Sequence, residues 1–198
     1  MATVPRRFVL YGGTALALRL GHRQSADFDF FSSEPFSPGS LRLEIPWLAT
    51  AEALQSSPNT LSVLTRGDRG VRVAFFGGLH LGRVGEPQPT ADGVVLVASL
   101  LDLAGTKAAV IQQRAEKKDY LDLAALFAAG VTLEQAIGAA QALYRELFNP
   151  MITLKALTYF GDGDLSELPH GTQQLLREKA ARFTRSEPVV RVSDSIAP

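Results

Sequence analysis

The sequence predicts an α+β protein, with strands and helices mixed over residues 1–95, helices alone over 96–185, and a weakly ordered tail at 186–198. Three observations carry this. Short period-2 runs bounded by Gly and Pro fill the first half. Near residue 94 the composition turns Ala/Leu-rich with helical periodicity. The tail SEPVVRVSDSIAP holds few large apolar residues to anchor it.

The elements follow in order. Residues 7–11 (RFVLY) read as a short buried strand, then Gly12-Gly13, then an amphipathic helix TALALRLG with Thr14 as its N-cap. DFDFF (27–31) alternates charge and apolar side chains, a strand period that sets Phe28 and Phe30 towards the core. SSEPFSPGS reads as a loop, and 41–54 as a helix broken or kinked at Pro46. TLSVLTR, the turn GDRG (67–70) and VRVAFFG form a hairpin, and 78–93 is irregular with one edge strand. Ser99 followed by Asp102 resembles a capping box opening a helix to about 114–116. Further helices fit 118–129, 132–147, 150–160 and 170–185.

Composition excludes several functions. The 198 residues hold 20 basic and 20 acidic side chains, so bulk charge does not drive binding to nucleic acid, although a local basic patch remains available. There is no cysteine, which removes disulfides, thiol catalysis and Cys-zinc sites, and three separated histidines make no metal cluster. No run is long and apolar enough to span a bilayer, and the N-terminus lacks a signal-type apolar segment. The expectation is a soluble cytoplasmic protein without a membrane partner.

Two constellations carry chemistry. In the first, a strand, Gly12-Gly13 and a helix start form a turn that lets backbone approach an anion. Asp27 and Asp29 then project from one strand face. Like charges so placed repel, and a divalent cation such as Mg²⁺, which favours carboxylate and phosphate oxygens, is the simplest compensation. The alternative is a solvated edge-strand face. In the second, Lys107, Arg114 and Lys118 fall at i, i+7 and i+11, on one face if a single helix continues that far, with Asp119 and Asp122 on the next turn. The plain reading of that segment is a solvated amphipathic face with weak ion pairs. His22 reads as a surface or helix-end histidine, and Trp47 and Phe75-Phe76 as core. The tail-helix cations Arg177, Lys179, Arg182, Arg185 and Arg191 read as a solvated face that could also meet an RNA backbone.

Together the motifs resemble a known family. LYGGTALALRLGHRQSADFDFFS is similar to the nucleotidyltransferase superfamily of DNA polymerase β type, in which a Gly-Gly or Gly-Ser turn precedes Asp-x-Asp on a strand. More closely, Arg23, Ser25, Asp27 and Asp29, followed by Lys107, Arg114, Lys118, Asp119, Asp122 and Leu123 in that order, resemble the AbiEii/AbiGii abortive-infection toxins. LKALTYFGDGDLSELP (154–169) shares the character of that group's C-terminal helices.

The resemblance implies a polymerase-β-like core, a small mixed sheet with flanking helices, ahead of a helical bundle. It implies that Gly12, Gly13 and Thr14, with Arg23, Ser25 and Arg114, bind the nucleotide, and that Asp27 and Asp29 hold Mg²⁺ or Mn²⁺. Lys107 would face the triphosphate, while Asp119 or Asp122 would orient the cations or take a proton. The implied activity is transfer of a nucleoside monophosphate from NTP to a hydroxyl, with tRNA as acceptor, within a toxin–antitoxin system that supplies a cognate antitoxin. One departure stands out: the position expected to carry a third metal-binding carboxylate aligns with Ala74. Asp119, Asp122 and the hairpin Asp68 are the substitutes in view. The alternatives are a degenerate NTP-binding or regulatory module, or an enzyme nucleotidylating a protein or small molecule.

Overall fold

The computed structural model describes residues 4–66 and 70–198, and the hairpin-turn residues 67–69, Asp68 among them, lie outside the described residues. A mixed sheet of seven strands forms the framework, in the order β3-β4-β5-β2-β1-β7-β6. Its centre is β1 (Val9–Tyr11) and β2 (Phe28–Phe31), paired antiparallel. β2 pairs parallel with β5 (Arg72–Phe76), which pairs antiparallel with β4 (Thr60–Leu64), the expected hairpin. Beyond β1, the short β7 (Leu96–Val97) runs parallel to it and carries the edge strand β6 (Gln88–Pro89), so the sheet extends just past residue 95.

The outer strand β3 (Glu52–Ser57) corrects the helix expected over 41–54. The helical part is α2 (Pro38–Glu44), followed by a short 3-10 turn over Pro46–Ala49. Pro46 lacks the amide an α-helix would need, so the chain turns and runs out along β4. β3 is exposed throughout, which is why its sequence EALQSS shows no strand alternation.

α1 (Gly12–Leu20) follows β1 directly, with Tyr11 and not Thr14 as its N-cap. α3 (Leu100–Val110) is capped by the Ser99 hydroxyl, as expected, but the Asp102 carboxylate accepts from the amides of Val84 and Gly85 and so ties the irregular segment to the helix. A full capping box does open α5 (Leu133–Tyr144), where Thr132 and Gln135 satisfy each other's backbone. α4 (Lys117–Ala128), α6 (Pro150–Ala156) and α7 (His170–Arg182) complete the helical part. α3 lies close against α5 because Gly105 has no Cβ: one would fall 2.9 Å from the backbone of Ala139 and Ala140. This close crossing fixes the helix that bears Lys107.

The tail is docked, contrary to the sequence expectation. Ile196 is fully buried, and the guanidinium of Arg83 donates to the carbonyls of Ser195 and Ala197. Arg191 binds the carbonyls of Ala142 and Leu143 at the end of α5 and thereby satisfies acceptors that the helix leaves open. These are contacts between distant segments, which local composition does not reveal. No single helix among the described residues is long and apolar enough to cross a membrane.

Candidate active site

A cavity of 530 Å³ opens where the β1–α1 turn, β2, the start of β5 and the α3–α4 junction meet. On one side stand Asp27 and Asp29. On the other stand Lys107, Arg114 and Lys118. The two motifs, about eighty residues apart in sequence, thus share one space.

The glycines are shaped by their neighbours. Gly12 adopts φ +73°, and a Cβ there would lie 3.0 Å from Asp29 Oδ2, so glycine clears the approach to that carboxylate. At Gly13 a Cβ would lie 2.3 Å from Arg23 Nη2 and 3.1 Å from Ser25 Oγ, so this residue makes room for a guanidinium. Thr14 is buried behind the cavity. Its hydroxyl donates to the Asp27 carbonyl and lies 3.0 Å from Ser25 Oγ, pinning α1 to the entry of β2. That contact stands in place of the capping role expected of Thr14.

Asp27 is exposed and Asp29 half-buried, and among the described residues neither forms an ion pair. Burial raises the pKa of Asp29 above the ordinary carboxylate range, against the pull of Arg72, Lys107 and Arg114, while Asp27 adds to the rise. Two uncommitted carboxylates on one strand face, beside a glycine that leaves Asp29 Oδ2 accessible, suit an oxygen-preferring divalent cation. Ala74 is the register partner of Asp29 on β5 and is fully buried, so no carboxylate stands at that neighbouring position. Among the described residues no three acidic or histidine side chains gather as a metal cluster.

Asp119 and Asp122 are committed elsewhere. Both side chains are fully buried. Asp119 accepts from Lys107 Nζ at 2.6 Å and from Arg114 Nε and Nη2 at 2.8 and 3.2 Å. Asp122 accepts from Arg23 Nε and Nη2 at 2.6 and 2.9 Å, and His22 Nε2 and Lys107 Nζ each lie 2.7 Å from it. Burial pushes both carboxyls up, but these charged donors outweigh it and hold both below the usual range. Both carboxylates are thus turned towards these cations rather than towards Asp27 and Asp29. In this arrangement they hold Lys107, Arg114 and Arg23 in place. Lys107, Arg23 and Arg114 share these two carboxylates, and Glu116 adds a third acidic group 3.6 Å from Arg114 Nε. An ammonium has three N–H groups, and two contacts leave one of Lys107's to point at a ligand.

Lys107, Arg114 and Lys118 do not share one helix, and the first of the two helices expected here ends sooner than 114–116. α3 ends at Val110 and α4 starts at Lys117, and the loop between them folds Arg114 back onto Asp119. Lys118 pairs with Glu116 at 2.8 Å. His22, read as a surface or helix-end histidine, does follow the C-cap of α1, but its side chain is mostly buried against Asp122, a hundred residues away in sequence. Arg72, which lines the cavity beside Asp29, was not singled out by sequence reasoning. Its signal was available, since it lies two residues before Ala74 and so shares that strand face. Of the tail-helix cations, Arg177 lies over the Phe160 ring and Lys179 over Phe127.

A mixed sheet flanked by helices, with an Asp-x-Asp strand facing a cluster of cations, defines a nucleotidyltransferase fold and site. Residues 2–192 match the family described as the nucleotidyl transferase AbiEii toxin of type IV toxin–antitoxin systems, and the chain belongs to that family of enzymes. An uncharacterized protein of Aquifex aeolicus (strain VF5) is 35% identical over 158 residues, covering 78% of this chain and 74% of that protein. Among solved structures, MenT4, a nucleotidyltransferase toxin from Mycobacterium tuberculosis H37Rv, has a similar fold. Its TM-score is 0.56 at 16% identity, over 90% of this chain and 77% of that one. A putative nucleotidyltransferase from H. pylori gives 0.52 at 16% identity, over 88% and 85%.

Proposed function

We propose that this nucleotidyltransferase moves a nucleoside monophosphate from an NTP to a hydroxyl of RNA, with tRNA as the acceptor and a cognate antitoxin as its restraint. The observation that carries the reading is the opposition, across one cavity, of the uncommitted pair Asp27 and Asp29 to the cation group of Lys107, Arg114 and Lys118. The triphosphate lies between them. Its β- and γ-phosphates face Lys107 and Arg114 near the Gly12-Gly13 turn, where fixed positive charge stabilises the departing pyrophosphate.

The acceptor oxygen attacks the α-phosphorus and forms a new O–P bond. The bond from that phosphorus to the α–β bridging oxygen breaks, and pyrophosphate leaves with the electron pair. The hydroxyl proton passes to Asp29, whose carboxylate lines the cavity. Asp27 and Asp29 would hold a divalent cation, Mg²⁺ or Mn²⁺, which would supply charge neutralisation at the transferring phosphorus group. Asp119 and Asp122 hold Lys107, Arg114 and Arg23 in place, so no cation must reorganise as charge develops.

The test is transfer itself. Purified protein with Mg²⁺, total tRNA and each α-labelled NTP in turn is expected to label tRNA, and the Asp27→Ala and Asp29→Ala variants are expected to lose the signal. Absence of label on tRNA with the wild-type protein would overturn the RNA acceptor and direct the search to a protein or small-molecule hydroxyl.

A further inference from the structure

A second cavity of 780 Å³ adjoins the first, and Phe31 and Phe76 belong to the walls of both. Phe31 lies two residues beyond Asp29 on the same face of β2, about 6.6 Å further along the strand. Phe76 is its register partner on β5, and the two rings meet edge to face at 5.6 Å. The far wall is the end of α5 and the turn after it, Leu143 to Leu147. The interior is apolar, while the rim carries His80, Arg145 and Glu146, all exposed.

We propose that this cavity receives the terminal nucleobase of a single-stranded acceptor RNA, an inference that rests on the function proposed above. Its direction follows from the reaction. The attacking and leaving oxygens of a phosphoryl group lie roughly in line. The leaving pyrophosphate is assigned to the Gly12 and Lys107 side of Asp29, so the attacking hydroxyl enters from the opposite end of β2, past Phe31 and Phe76. A nucleotide's base lies one strand repeat or so from its ribose hydroxyl, and Phe31, one such repeat beyond Asp29, is where the second cavity meets the first. Aromatic and apolar walls with a few polar groups at the rim are how proteins hold unstacked bases.

Backbone strain falls at the same place. Arg145 has φ +53° and ψ −127°, a conformation that costs a non-glycine residue energy and that gathers at ligand sites. Arg191, bound to the carbonyls of Ala142 and Leu143, helps to hold that turn. Tyr144, pushed up to about 12 by burial, stays a neutral phenol able to stack or donate.

The test uses a fluorescent stem-loop RNA with a short single-stranded 3′ tail, and the same RNA made abasic at its terminal nucleotide. Anisotropy measures binding to the full chain. The wild-type protein is expected to prefer the intact RNA by about tenfold to a hundredfold, the weight of one stacked base. Leu147→Glu, at a side chain 89% exposed, and Arg145→Gly, which suits a positive φ, both leave the fold intact and are expected to erase that preference. Thermal stabilisation by Mg·NTP is expected to persist in both.

Equal binding of the two RNAs by the wild type, or an undiminished preference in the variants, would overturn the proposal. So would loss of Mg·NTP stabilisation in the variants with RNA binding unchanged, which would give the cavity to the incoming nucleotide's base. A preserved base preference without any labelling of RNA would leave the pocket standing and sink the transfer reaction instead.

Discussion

Arg23 and Asp122, ninety-nine residues apart, form a two-pronged ion pair at 2.6 and 2.9 Å that joins the loop before the Asp-x-Asp strand to helix α4. The carboxylate is fully buried and also touches Lys107 and His22, so its loss strands several charges at once. Asp122→Ala is expected to cost about 3–5 kcal/mol, the range for breaking a buried pair by removing one partner. Arg23→Lys is expected to recover only part of the Arg23→Ala loss, because an ammonium cannot reproduce the planar fork. Urea denaturation of the three variants checks both statements. A cost below 1 kcal/mol for Asp122→Ala would show that the network is dispensable to the fold.

Asp29→Asn separates chemistry from stability. Burial raises the folded-state pKa of Asp29, so its ionised form is disfavoured in the native protein and stability falls as pH rises through that pKa. An amide of the same shape removes that burden. At neutral pH the melting temperature is expected to rise by a few degrees at most, while transfer falls by about 10²–10³-fold, as when one charge-stabilising group is lost. A variant both inactive and less stable would contradict the account of Asp29.

The sign reverses for Asp119 and Asp122. Their folded-state pKa values lie below the unfolded ones, so the stability they contribute is complete above the unfolded carboxylate range, about pH 4, and is lost as pH falls through their lowered values. Melting temperatures recorded from pH 7 downwards should hold nearly level until about pH 4 and then drop. The drop should be smaller in Asp119→Asn, measured against its own neutral value.

Arg72 pulls the pKa of Asp29 down. Replacing it with alanine should move the acid limb of the transfer rate towards higher pH without altering stability much, since Arg72 is exposed. An unchanged acid limb would remove Asp29 as the proton acceptor.

Gly13→Ala would drive a methyl group into the Arg23 guanidinium. Overpacking of this kind costs about 1–3 kcal/mol. Because Arg23 is the group displaced, the loss should shrink when Arg23 is already alanine. A double-mutant cycle read by denaturation reports the coupling directly.

The sheet centre and the two motifs were legible because each rests on a local pattern. Gly12-Gly13, the alternation around Asp29 and the Ala/Leu periodicity after residue 97 need no distant partner to be read. What failed depends on distant partners or on a break in periodicity. β3 is a strand only because β4 lies beside it, and its exposed face gives no alternation. The helix end at Val110 was masked by the polar run that follows, whose Arg114 returns to Asp119 instead of continuing a face. His22 found its partner a hundred residues away, and Ile196 was buried by contacts that no local rule describes. Arg72 is different: a period-2 reading of its own strand would have placed it beside Asp29.

The clasp of Arg83 on Ser195 and Ala197, with Arg191 bracing the end of α5, gives the molecule an order of birth. On the ribosome the Asp-x-Asp strand and the cations can assemble early, while the wall that faces Phe31 and Phe76 waits for residues beyond 190 to emerge. Without those residues the Asp-x-Asp strand and its cations would keep their contacts, while the wall opposite Phe31 and Phe76 would lose its brace.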